Sequence, residues 1–251
     1  MNKALSSLYN YLLALILLMS ASGQIQAAQT DSNWQYFFGG YLTTTAIDAE
    51  TTSYTPIGDQ VIEIDASFSD LLDNLDYGLS GIFIARKDSL SINLDLVFIG
   101  LTIDQPPATI EVTLREHEFY AGYAMFKQIP ELEVIGGVRY IDQDIKVTTP
   151  QPQLVIGDSW VDPFIGLRYL GPINDSWNWL LRGDIGGFGV GSDFAWRIDA
   201  GATYRFAKQW EAAIWYKILD MDYETGTAGT PSIYKWDGSE SGVTFGIGYY
   251  F

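Results

Sequence analysis

From Asn33 onward, apolar residues recur at every second position. That is the period of a half-buried strand, not the 3.6-residue period of a helix. It predicts ten strands, at 33–46, 76–87, 89–102, 112–126, 132–146, 159–170, 177–187, 195–206, 209–221 and 240–251. Short links (Lys87-Asp88, 126–133, 170–177 and 207–209) alternate with long ones (47–75, 103–111, 147–158, 188–194 and 222–239). This alternation predicts an all-β, up-and-down antiparallel barrel with its long links on one rim. An even strand count puts both chain ends on the other rim. The stretch VIEIDASF (61–68) would make an eleventh strand and break that parity. Residues 47–75 are therefore expected to form a long outer loop or a plug folded into the lumen.

Several expected strands separate cleanly into two faces. In WRIDAGATYRF, Trp196, Ile198, Ala200, Ala202, Tyr204 and Phe206 oppose Arg197, Asp199, Gly201, Thr203 and Arg205. In the next strand, Trp210, Ala212, Ile214, Tyr216 and Ile218 oppose Glu211, Ala213, Trp215 and Lys217. Pattern alone does not say which face is inside. A charge on the lipid face of a membrane barrel costs about 2–4 kcal/mol near the midplane, whereas a soluble barrel fills its interior with apolar residues. Aromatic rings favour the headgroup level. They cluster at the expected strand ends, with Trp34, Tyr36, Tyr169, Trp177, Trp179, Tyr204, Phe206 and Trp210 below and Trp160 and Trp196 above.

The N-terminus bears on the choice. Lys3, an apolar run over 11–19 and then small residues form the three regions of an export signal. Cleavage is expected after Gly23, Ala27 or Ala28, giving a signal peptide at 1–28 and a barrel domain at 29–251. No later stretch approaches 18 consecutive apolar residues. The chain is then either exported and soluble or a barrel in an outer membrane. Loop asymmetry and aromatic placement favour the membrane, with apolar faces to lipid and charges inward.

Composition adds exclusions. The 251 residues include no cysteine, so disulfides and thiolate metal sites are unavailable. A formal net charge of −17 disfavours nucleic-acid binding through a basic surface. The mean hydropathy of +0.05 lies between soluble and membrane proteins.

The chain ends on SGVTFGIGYYF, with Val243, Phe245, Ile247, Tyr249 and Phe251 on alternate positions. This resembles the C-terminal signature of bacterial outer-membrane barrels, which the barrel-assembly machinery recognises. The chain from 29 onward resembles, in pattern, the small Gram-negative outer-membrane barrel superfamily that includes the OmpA-like and OmpW-like proteins. The stretch SFSDLLDNLDYG…ARK (67–87) is similar to a recurring piece of such barrels. The resemblance implies location in the Gram-negative outer membrane and contact with its lipid and lipopolysaccharide. It implies no activity, because one fold hosts many functions.

The inward-facing charges are the candidate site: Asp95, Glu118, Glu133, Arg139, Asp162, Arg168, Arg182, Asp184, Arg197, Asp199, Arg205, Glu211 and Lys217. Acids and bases nearly balance. An interior ion-pair network, a narrow solute path or a ligand site would each use them. Ten strands lie near the size at which side chains fill a barrel. His117, the one histidine, is expected on the lipid face near an upper strand end, with Phe119 where a lipid A deacylase pattern has serine. GGFGVGS (186–192) follows no parallel strand and opens no helix, so it is expected to be a flexible loop. FSDLLDNLD (68–76) predicts a short helix capped by Ser69, with Leu71, Leu72 and Leu75 on one face. The acidic pairs Asp142/Asp144 and Asp220/Asp222/Glu224 lack a Ca²⁺-loop spacing. No catalytic residue, cofactor or metal is expected. The leading expectation is a non-enzymatic narrow pore or structural, surface-interaction barrel. A lipid-modifying enzyme and a soluble barrel for an apolar ligand are the alternatives.

Overall fold

The structure, a computed structural model, describes residues 34–55, 58–148 and 154–251. The expected signal peptide lies outside the described residues. The strands are β1 (Gln35–Thr43), β2 (Ala46–Thr55), β3 (Gly58–Ala66), β4 (Leu75–Lys87), β5 (Leu90–Gln105), β6 (Ala108–Tyr123), β7 (Leu132–Thr148), β8 (Leu154–Pro172), β9 (Trp177–Gly186), β10 (Phe194–Arg205), β11 (Trp210–Thr225) and β12 (Tyr234–Tyr250). One helix, α1 (Phe68–Asp73), precedes β4. Ten strands, β1 and β4 to β12, close an antiparallel barrel through the β1–β12 pairing. Closure leaves the membrane-spanning wall no free sheet edge along most of its circumference.

β2 and β3 are additional to these ten. β2 continues the direction of β1 and pairs with the upper half of β12. β3 returns beside β2, and α1 leads into β4. Residues 47–75 are thus neither a loop nor a lumen plug. The parity argument set 61–68 aside as a lone strand, but that stretch has β2 as its hairpin partner, and two extra strands preserve parity. The cap of α1 is Ser67 rather than Ser69. Its hydroxyl meets the Asp70 amide while its own amide donates to the Asp70 carboxylate at 3.0 Å, a reciprocal capping box.

Across the lower two thirds of the wall, apolar side chains point out. Ile165, Leu167, Ile198, Ile214, Tyr216, Phe245 and Phe119 are exposed, while Asp199, Arg197 and Lys217 are buried. On β11 this outward apolar stripe runs from Trp210 up to Ile218 and stops at Asp220. Ten residues tilted by about 40° rise roughly 25 Å, the height of a membrane barrel's apolar band. A lower girdle includes Trp177 against Tyr204 and Trp210 against Tyr249.

Above that band the sorting inverts along the same strands. Asp222 and Glu224 point out while Met221 and Tyr223 are buried inside. Lys146 and Glu111 pair across the outer surface at 3.1 Å, and Arg115 bonds Asp142. Inside lies an apolar core of Ile47, Ala49, Ile141, Ile156, Leu219, Met221, Tyr234 and Trp236, against which Ile64, Ala66 and Leu71 pack. A water-surrounded wall hides its apolar side, and a lipid-surrounded wall exposes it. The sequences expected as long outer links, such as 103–111 and 222–239, are largely this strand overhang. Between β5 and β6 only Pro106-Pro107 remains as a turn. The asymmetry between rims therefore lies in overhanging strands more than in loop length. Trp160, expected in the upper outer girdle, shares the parity of Asp162 and faces inward, stacked on Tyr223 at 4.0 Å.

Candidate functional site

The inward charges lie at three levels. At the centre, Arg139 donates from Nε to Glu118 at 2.7 Å and from Nη2 to Asp184 at 2.9 Å, with no exposed surface. Arg182 donates to Glu118 and Asp184 at 2.7 and 2.8 Å. Arg197 reaches Asp199 and Glu118 at 3.0 and 3.1 Å. Lys217 donates to Glu116 at 2.6 Å, and the Tyr41 hydroxyl donates to Asp95 at 2.5 Å. These residues come from β1, β5, β6, β7, β9, β10 and β11, brought to one level by the stagger of paired strands. Arg139 lies 5.1 Å from the Phe164 ring, and Arg182 lies 4.9 Å from Tyr120.

Nearer the lower mouth, Arg168 donates to Glu133 at 2.5 Å, to Asn93 at 2.8 Å and to the Tyr120 hydroxyl at 3.0 Å. Arg86 reaches the same Glu133 at 3.0 Å. At the mouth itself, Arg205 approaches Glu211 at 3.5 Å and lies over the Tyr250 ring. Asp162 stands apart from these networks. It accepts from the Ser192 amide at 2.6 Å and its hydroxyl at 2.7 Å, while Trp160 donates to that hydroxyl. GGFGVGS is thus a tethered cover rather than a free loop. Gly187, Phe188 and Gly189 all have positive φ angles, and a side chain at Gly191 would strike Asp162.

The structure joins Glu118, Arg139, Arg182, Asp184, Arg197, Asp199 and, through Glu116, Lys217; Asp95 lies opposite Glu118 with Tyr41 as its hydrogen-bond partner, while Glu133 with Arg168, Arg205 with Glu211, and Asp162 are separate groups. Sequence reasoning missed Glu116, Glu240, Arg86 and Tyr41. Glu116 shares the parity of Glu118, a usable signal. It was obscured because β6 begins at Ala108, four residues before the expected start, so that 116 lies mid-strand rather than near the rim. The same extension puts His117 mid-strand on the outer face, between the Phe98 and Tyr140 rings at 4.6 and 5.9 Å.

The final strand's Val243, Phe245, Ile247, Tyr249 and Phe251 lie on the outward face, Phe245 and Phe251 well exposed. The Phe251 amide donates to the Tyr36 carbonyl at 3.0 Å, so the last residue is stitched to the first strand. Among the described residues, no group of three or more potential ligands could hold a metal ion.

An inward charge network ringed by an outward apolar belt defines a transmembrane β-barrel of the Gram-negative outer-membrane type. The chain is similar in structure to the outer membrane protease OmpT from Escherichia coli, at 10% identity over 90% of this chain and 99% of that one, with a TM-score of 0.55. It also resembles the translocator domain of autotransporter NalP from Neisseria meningitidis (12%, 98% and 98%, 0.38) and OprG from Pseudomonas aeruginosa (10%, 88% and 96%, 0.37). No family model and no curated protein matches the sequence. At these identities the likeness is one of fold, a closed antiparallel β-barrel.

Proposed function

We propose that the protein is a non-enzymatic outer-membrane barrel closed along its axis, serving as a structural or surface-interaction element rather than an open channel. Arg139 carries this reading: wholly buried, it joins Glu118 and Asp184 across the lumen, directly beneath the packed core of Ile141, Leu219 and Trp236. An ion moving along the axis would have to break these pairs and then cross a dry layer. A cavity of about 340 Å³ lies on the periplasmic side, lined by Arg168, Arg182, Arg197 and Tyr250 among others, and ends against the network. In planar bilayers the refolded chain should give no reproducible conductance steps. Steps of fixed size whose ion selectivity changes in Arg197→Ala would overturn the closed-barrel reading.

OmpT is a protease, and this chain's likeness to it is one of fold. Here the single histidine faces outward between two aromatic rings. Lipid A from cells carrying the wild-type or the His117→Ala chain should have the same mass spectrum. The reading also assigns partners: lipid and lipopolysaccharide around the belt, and the barrel-assembly machinery for the last strand. Deleting Phe251 removes the stitch to Tyr36 and the terminal aromatic, so the yield of heat-modifiable protein in the outer membrane should fall severalfold. Normal yield would contradict this role.

A further inference from the structure

Within the apolar belt the wall has an incomplete seam between β1 and β4. β1 pairs with β4 only from Gln35 to Gly40, against 81–86. Above Gly40, residues 41–43 keep β12 as a partner but have none in β4, and 75–80 of β4 pair with β5 alone. In hydrocarbon an unpaired backbone persists only where it lines a cavity or is covered by protein. A cavity of about 260 Å³ fills this gap. Its outer lining is apolar: Leu42, Phe68, Leu72, Leu75 and Phe245, with the outward-facing Leu42 and Phe245 set in the lipid belt. Its inner end is formed by Glu116, Lys217 and Glu240.

Charge at that inner end is unbalanced. Lys217 is committed to Glu116 at 2.6 Å, and Glu116 also faces Arg197 at 3.6 Å. Glu240 has no hydrogen bond or ion pair to its side chain among the described residues, although it points inward opposite Leu219 and Ile47. A carboxylate turned into a mostly apolar chamber gains most from a cation or strong donor that brings its own hydrocarbon. The chamber is slightly smaller than a typical drug-sized pocket of about 300–1,000 Å³.

We propose that this seam is a membrane-facing binding site for a small cationic amphiphile, a primary amine on a short alkyl chain. The ammonium group sits against Glu240 and the chain lies between α1, Leu42 and Phe245. Entry is sideways, so the site does not depend on whether the axis is closed.

The probe is decylamine, with decanoate as the anionic control, measured by equilibrium binding to the full barrel in nanodiscs against empty nanodiscs. Decylamine should bind saturably at one site per chain, and decanoate should not. Glu240→Gln should weaken the amine at least about tenfold, the loss of one charge-assisted contact. Gly78→Leu should block the chamber while leaving Glu240 in place, because a Cβ at Gly78 would meet only the Leu75 methyls, at 3.9 Å, within the chamber lining. Heat-modifiable migration confirms that each variant is folded, and Glu240→Asp serves as a second variant that should retain most binding. Equal uptake by empty discs, equal binding of decanoate, or unchanged affinity in folded Glu240→Gln would each overturn the site. None of these outcomes bears on the conductance test.

Discussion

At the residue scale, each side chain's role follows from which medium its strand position meets. Arg139 is the sharpest case. Replacing it with Met leaves Glu118 with its other arginines but strips Asp184 of one partner, in an interior where an unpaired charge is costly. Arg139→Met should destabilise the barrel by about 3–5 kcal/mol, read as a lower urea midpoint of the heat-modifiable form. Ile214→Arg puts a charge on the lipid face and should cost about 2–4 kcal/mol in the same assay. Glu224→Arg, same strand and same face but above the belt, should cost far less. Parity made most inner charges legible in the sequence: Asp199, Arg197 and Lys217 alternate with isoleucines and tyrosines that must face lipid. Trp160 and Glu116 were misplaced because parity is useful only once the strand's length and its meeting with the membrane boundary are known.

At the element scale, the strands run further than the alternation suggested. The apolar face changes sides at the membrane boundary, so a single strand such as β11 carries two opposite patterns in series. A reader looking for one continuous apolar stripe stops at Ile218 and takes the rest for loop. Residues 46–66 are hidden for the same reason, since β2 and β3 present polar side chains outward, including Glu50, Glu63 and Asp65. α1 was legible from its leucines, but its start was shifted by two residues, because Ser67 and Ser69 are equally good caps until the partner carboxylate is seen. The Ser67 hydroxyl and amide hold the Asp70 carboxyl below its ordinary range. A depressed folded value means the cap's contribution is complete above the unfolded carboxylate value and is lost as pH falls through the lower, folded one. NMR titration of Asp70 should show that lowered midpoint, and Ser67→Ala should return it towards the ordinary value. An unchanged midpoint in the variant would contradict the capping box.

At the scale of the whole molecule, the architecture came through the sequence well. Ten closing strands, paired ends on one rim and charges inside all follow from period, parity and the cost of charge in lipid. Axial closure and the β1–β4 seam did not, because each depends on which side chains meet across the lumen or fail to meet across a gap, and spacing within one strand carries no such information. The network of Arg139, Arg182 and Arg197 with Glu118, Asp184 and Asp199 draws on four strands far apart in sequence.

The central claim is that one strand face changes medium partway along its length. The chain contains no cysteine, so each introduced cysteine is a unique label site. The most direct measurement is spin-label accessibility at Ile214→Cys, Tyr216→Cys, Asp222→Cys and Glu224→Cys in liposomes, comparing oxygen with a water-soluble nickel chelate. The first two should collide mainly with oxygen and the last two mainly with nickel, with the crossover near Asp220. Nickel accessibility at position 214 as high as at position 224 would contradict the account.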